Sequence, residues 1–298
     1  MTRTDALLQK TKILAWSPAS VAAALCSLGL LIAITVATFV DLHQQAERED
    51  QFQALTLRAT DQLRIHMRGY SYGLRGTRSA ILTIGSDTIT RRQFHEYLAS
   101  RKIETEFPGV LGYGYVRRVS AAAESAFLRQ ARTDGLPQFA IREFSPNPGD
   151  RWLVKYLEPD TNNAPVLGLD LASEPARRRA IIKAIETGEA TLTPPVTLVQ
   201  AKSEPAKGFL ILLPIYASSE MPATVLSRQQ TAIGLAFAPF LIDRVLSGFD
   251  YHNDAFSMVI RARSGDGQLS PVFSSRDANQ PASKGLLLRQ TLDLYGQQ

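Results

Sequence analysis

From Ala15 to Val40 the chain carries no charged side chain, and this stretch limits what everything after it can become. Its core, Val21 to Val40, is long enough to cross a hydrocarbon layer at about 1.5 Å rise per residue. Arg3, Lys10 and Lys12 precede it. Asp41, Glu47, Glu49 and Asp50 follow, with Arg48 the only nearby positive charge. The bias of Lys and Arg places residues 1–14 in the cytoplasm, a transmembrane helix at 15–40, and residues 41–298 outside. The rival reading is a cleaved signal peptide. The apolar stretch is longer than a usual signal core, and no clean small-x-small site precedes a polar start, so an uncleaved anchor fits better.

Residues 41 to about 84 read as one helix, about 65 Å long. Phe52, Leu55, Ala59, Leu63, Met67, Tyr70, Leu74 and Ile81 fall on one face at steps of three and four. That stripe packs either against the chain's own globular part or against a second copy. Gly69, Gly73 and Gly76 interrupt the helix, each weakening it by roughly 1 kcal/mol relative to Ala. They mark either that cost or a place where helix and neighbour approach closely. Thr90 caps a second helix from Arg91 to about Arg101, with Phe94, Tyr97 and Leu98 inward. Residues 41–104 are thus a stalk with connecting helices.

Beyond the stalk the pattern alternates between the two periods. Strands are expected at Leu111 to Val119, Phe139 to Phe144 and Trp152 to Leu157, with a helix at Ala121 to Arg132. Residues 174 to 187 form an amphipathic helix with Ser173 as N-cap, Pro175 in its first turn and Gly188 as its stop. Arg177, Ile181, Ala184 and Ile185 share its inner stripe. A hairpin follows, from Val196 to Gln200 and from Phe209 to Leu213. Ala217 to Arg228 reads as a polar loop between two subdomains. After it come a strand at Thr231 to Phe237, a helix from Ala238 to Ser247 begun at Pro239, and strands at Phe256 to Arg263, Val272 to Ser274 and Leu286 to Leu294. This order argues an α+β fold with two antiparallel sheets, one at 105–218 and one at 219–298.

Several activities lack the residues they need. The net charge of +5 is modest, and the one three-residue basic run, Arg177 to Arg179, sits on a helix without interleaved aromatics. Nucleic acid is therefore not an expected partner. The single cysteine, Cys26, lies in the apolar segment, which rules out an intramolecular disulfide. The four histidines, His43, His66, His95 and His252, have no metal-ligand spacing. No nucleophile elbow precedes a helix, so no catalytic residue is assigned. Gly112-x-Gly114 lacks the third glycine and the helix of a phosphate loop. No cofactor is expected.

The run S-x-P-x-R-R-x-A at Ser173 to Ala180, then E-T-G, L-T-x-P and G-F-x-I-x-L-P-I-Y, resembles the centre of a CHASE domain. Further landmarks follow in order: Phe94 and Tyr97, Phe107-Pro108-Gly109, Glu158-Pro159, Asn163 and Gly168. The resemblance covers about residues 45 to 298. CHASE domains are extracytoplasmic sensor modules of membrane-bound histidine kinases and cyclic-nucleotide enzymes, including the plant cytokinin receptors. The resemblance implies a long stalk helix carrying two PAS-like subdomains, the first membrane-distal and the second membrane-proximal. It also implies a homodimer along the stalk and an inner-membrane location, with residues 41–298 in the periplasm. Relatives continue through a second span into a histidine kinase or diguanylate cyclase, so this chain is expected to be the sensory front end and not itself an enzyme. A membrane-tethered enzyme would need a catalytic constellation. A ligand-free dimerisation scaffold would need no pocket.

A small-molecule pocket is the positive expectation: a half-open cavity between the inner face of helix 174–187 and the hairpin. Carried over position by position, the cytokinin-receptor pocket falls on Arg177, Thr193, Val199 and Leu212. Where those receptors have an aspartate that accepts from the purine, this chain has Arg177; where they have a threonine, it has Leu212. A guanidinium only donates, so an acidic ligand suits it better than a purine. The alternative is an arginine whose stem covers the core edge while its head stays in water.

Overall fold

The computed structural model describes residues 17–161, 163–198, 207–247, 257–275 and 287–297. In chain order the elements are α1 (Pro18–Ile84), α2 (Arg91–Ala99), α3 (Ile103–Glu106), β1 (Tyr113–Val119), α4 (Glu124–Thr133) and β2 (Arg151–Glu158). They continue with α5 (Pro175–Thr187), β3 (Thr191–Leu192), β4 (Val196–Thr197), β5 (Lys207–Tyr216), α6 (Val225–Thr231), β6 (Ala232–Phe240), α7 (Ile242–Leu246), β7 (Val259–Arg263) and β8 (Leu269–Ser274). The fold is mixed α and β, with antiparallel sheets, as the hydrophobic periods require. The chain divides into two units, Met1–Leu55 and Thr56–Gln298.

The first unit is helical from Pro18 onward. Its apolar side chains face outward: Leu25 is 64% exposed and Phe39 69%. Among the described residues, α1 is the one helix long and apolar enough to cross a membrane.

The second unit is built on a six-stranded sheet of order β2-β1-β6-β5-β3, with β4 pairing β5. Successive side chains of a strand point to opposite faces, and both faces of this sheet are covered. On one face Phe209, Ile211, Leu213 and Ile215 of β5 join Leu63, Met67, Tyr70, Leu74 and Ile81 of α1. On the other, Leu210, Leu212 and Tyr216 join Ala180, Ile181, Ala184 and Ile185 of α5. This explains why β5 reads as an unbroken apolar run rather than an alternating one. Each fully buried Leu or Ile contributes about 1.5–3 kcal/mol. From Leu63 onward, then, the α1 stripe packs on the chain's own sheet.

Two of the α1 glycines mark close approach. A Cβ at Gly73 would overlap the Tyr113 ring, and one at Gly76 would meet Tyr97 Oη at 2.7 Å, whereas nothing lies within 4 Å of Gly69. Gly73→Ala is therefore expected to cost about 1–3 kcal/mol by overpacking. Gly69→Ala is expected to gain about 0.5–1 kcal/mol from helix propensity. Urea denaturation of the two variants checks the contrast, and equal effects would remove the close-packing account.

Several elements differ from the sequence reading. Residues 139–144 form no strand. The β2 edge is taken by the segment after Val166, through Val154 N to Leu169 O at 3.0 Å and Gly168 N to Val154 O at 2.8 Å. Only Arg142 is left to bridge, to Leu169. The stretch 217–228 is not all loop: Thr224 and Ser227 cap each other reciprocally and start α6. Ala238–Phe240 is strand, not helix. The Pro239 carbonyl accepts from Leu111 N at 2.8 Å, so its nitrogen faces the same side, short of the start of β1, where no ladder donor is needed. β6 lies between β1 and β5, so the strand expected to open the second subdomain belongs to the first sheet. The second sheet is the hairpin β7–β8. Of the strand expected at 286–294, residue 286 lies outside the described residues, and only Leu294 pairs, in a bridge with Gln297.

Candidate functional site

The α5 face of the sheet holds the residues singled out by the sequence. The helix starts one residue later than expected. Glu174, not Ser173, is the N-cap, and its carboxylate accepts from Ala176 N at 3.0 Å and Arg177 N at 2.9 Å. A carboxylate there satisfies two orphan amides and opposes the positive end of the helix dipole. Ser173 is fully buried and ties loops together instead. Its hydroxyl donates to Asp170 O at 2.6 Å and accepts from Phe144 N at 2.9 Å.

These ties bring Phe144 over Arg177, whose guanidinium carbon lies 4.6 Å from the ring centre. Arg177 is only 4% exposed, so its head does not reach water. Nη2 donates to Thr197 O at 2.9 Å, while Nε and Nη1 are buried without any hydrogen-bond partner. Burial pushes its pKa down, partly offset by the Glu174 charge. No carboxylate forms an ion pair with it among the described residues. A buried cation with unused donors is costly and rare, because each orphaned polar group forfeits about 1–3 kcal/mol.

Beside Arg177 lies a cavity of about 10 Å³, bounded by Val166, Leu169, Leu171, Leu198, Leu210 and Phe237. That is the room one water needs. The half-open cavity expected from the sequence is thus nearly closed where the described residues line it. Leu212 is fully buried on the same face but does not border the cavity; Leu210, two residues earlier on β5, does. Thr193 is also fully buried. Its hydroxyl oxygen accepts from Leu210 N at 3.0 Å, and its amide donates to Leu210 O at 2.9 Å, which clamps the chain against β5. Val199 lies outside the described residues.

The sequence missed Phe144, Val166, Leu169 and Leu210. The strand period could have found Leu210 from Leu212, but the others sit in irregular segments with no pattern to read. Chemically, the arrangement offers two or more N–H donors and a positive charge inside an apolar wall, which suits an anionic acceptor. Among the described residues, no three His, Cys, Asp or Glu side chains gather closely enough to hold a metal ion.

The family model described as CHASE domain matches residues 87–280, well over half of the chain. A comparison with curated proteins gives no match.

Proposed function

Because the chain belongs to the CHASE-domain family of extracytoplasmic sensor domains, we propose that its α5 face binds a small acidic molecule and that α1 carries the occupancy through the membrane. The observation behind this reading is the Arg177 guanidinium, buried with Nε and Nη1 unpartnered beside a cavity. Ligand entry widens that cavity at the expense of the packing between α5 and β5. A ligand can drive such a change only by binding the open state more tightly than the closed one.

The rest of the reading follows the family. The six-stranded sheet with helices on both faces serves as a PAS-like, membrane-distal subdomain running to Phe240, and the β7–β8 hairpin belongs to the proximal one. Thr193, Val199 and Leu212 shape the pocket wall. The protein dimerises along α1, where Leu57, Ile65 and Tyr72 recur at steps of eight and seven and are more than half exposed. It sits in an inner membrane with residues 41–298 on the periplasmic side. Its output is a histidine kinase or diguanylate cyclase domain in the full-length protein.

Thermal-shift screening of acidic metabolites against purines tests the ligand. At 100 times its Kd an acidic ligand adds about 2.7 kcal/mol, a rise of roughly 5–10 °C for a domain of this size. Arg177→Met is expected to abolish that rise while leaving the unliganded protein as stable as before or more so, since it removes the orphaned donors. If only purines stabilise the protein and Arg177→Met leaves their effect intact, the reading fails.

A further inference from the structure

A second cavity, about 130 Å³, lies on the α1 face of the sheet. By the measure in which one water needs about 10–15 Å³, it has room for roughly ten non-hydrogen atoms. Its walls come from the C-terminal part of α1, the end of α5, the end of β5 and the segment that follows. Gly188, Leu213 and Tyr216 belong to the family landmarks, but Arg75, Arg78 and Glu189 do not.

The charges around this cavity are arranged for a guest. Arg75 and Arg78 stand three residues apart on α1, so they share one face of the helix. Like charges at that spacing repel. Neither guanidinium makes a hydrogen bond or an ion pair among the described residues. Arg78 is half-buried, and its pKa is pushed down, first by burial and then by the Arg75 charge. Glu189 also lines the cavity, beyond ion-pair distance, and its charge only partly offsets that strain. The Tyr216 hydroxyl is committed to Ile185 O at 2.7 Å, so it has no proton left for a ligand. Helix α1 therefore supplies the donors and the turn after α5 a carboxylate.

We infer that this cleft binds a small carboxylate, clasped by Arg75 and Arg78 between the stalk helix and the sheet. Planar guanidinium forks match carboxylates in two-point contacts, which gives the clasp its selectivity over neutral molecules of the same shape. Where the guest is an amino acid, its ammonium faces Glu189; where it is a simple dicarboxylate, Glu189 stays on the rim. A guest held there bridges α1 to β5 and would stiffen the join through which any signal from the sheet must enter the stalk. The site is separate from Arg177 and does not depend on that pocket binding anything.

Calorimetric titration of the full chain in detergent, with glutarate, glutamate and glutaramide as probes, tests the inference. Binding of either acid with no binding of the neutral diamide is expected. Glutamate binding more tightly than glutarate, with the difference removed by Glu189→Gln, assigns an amino acid; equal binding assigns a plain carboxylate. Measured in the Arg177→Met background, so that the α5 face contributes nothing, Arg75→Gln and Arg78→Gln are each expected to weaken the acid by at least about tenfold. Arg75 is exposed, so its variant remains decisive even if Arg78→Gln does not fold. Absence of binding by both acids at 10 mM, or unchanged binding in Arg75→Gln, overturns the inference. Loss of binding in Arg177→Met alone would return the acid to the α5 face and overturn it as well.

Discussion

Asp170→Ala is expected to cost about 3–5 kcal/mol, the loss typical of removing one partner from a buried charged network. Asp170 has no exposed surface. One carboxylate oxygen accepts from Trp152 N at 2.9 Å and from Ala172 N at 3.0 Å; the other accepts from Asn147 Nδ2 at 2.9 Å. Arg151 Nη1 stands 3.6 Å away. The alanine variant leaves two backbone amides without acceptors and takes one of two acceptors from the Asn147 side-chain amide, which keeps Asp150 O, and from Arg151 Nη1, which keeps Glu143. Asp170→Asn keeps one acceptor oxygen but turns an amide toward donors, so roughly half the loss is expected to remain.

The consequence reaches the α5 face. Through Ser173, the Asp170 segment holds the loop that lays Phe144 on Arg177: Phe144 N donates to Ser173 Oγ at 2.9 Å, and Ser145 Oγ donates to Ser173 O at 2.5 Å. Urea denaturation of Asp170→Ala is therefore expected to show the lower midpoint, and Arg177-dependent ligand stabilisation is expected to weaken with it. A loss under about 1 kcal/mol would mean that water replaces the carboxylate at these donors.

How far this network and its neighbours can be read from the residues depends on what each feature answers to. Helix α5 was legible because its stripe, its Gly188 stop and Pro175 are local signals; the shift of its cap from Ser173 to Glu174 turns on Ser173 being claimed by Asp170 and Phe144. The inward direction of Arg177 followed from the stripe. That Nε and Nη1 go unpartnered did not, because it depends on which side chains fail to arrive from distant segments. Pro239 misled for a physical reason: proline suits both a helix start and the end of a strand, and only the departure of β1 at that level decides between them. Residues 139–144 had the composition of a strand, but the segment around Leu169 takes the free edge of β2. The charged lining of the second cavity had no sequence signal, since Arg75, Arg78 and Glu189 look like solvated charges until α1 and α5 are brought together.

Lys155→Met is expected to make the protein more stable at neutral pH, an unusual direction for a lysine removed from a strand. Lys155 is only 2% exposed. Its Nζ donates to Ile89 O at 3.3 Å and lies 4.9 Å from the centre of the Tyr156 ring. Burial is the main cause that pushes its pKa from 10.5 down to about 8; Arg117 adds to the fall, while Asp134 and Asp87 oppose it. Between those two values the unfolded chain keeps a proton that the folded chain has released. Stability therefore rises with pH from about 8 to 10.5, and the full cost of burying the charge is present below 8. At about 1.4 kcal/mol per pH unit, that cost is about 3 kcal/mol. Methionine fills the same length without the charge, and Ile89 O keeps only a share of the single Tyr156 hydroxyl proton, which also lies against the Asp134 carboxylate, so part of the cost is expected to return as a gain of about 1–2 kcal/mol at pH 7. Other groups titrate in this range, which makes the difference between wild type and variant the quantity to follow. That difference is expected to be largest at pH 7 and to shrink toward pH 10 in urea denaturation. A variant less stable than wild type at pH 7, with a difference independent of pH, would show that Lys155 holds its proton through contacts stronger than the geometry provides.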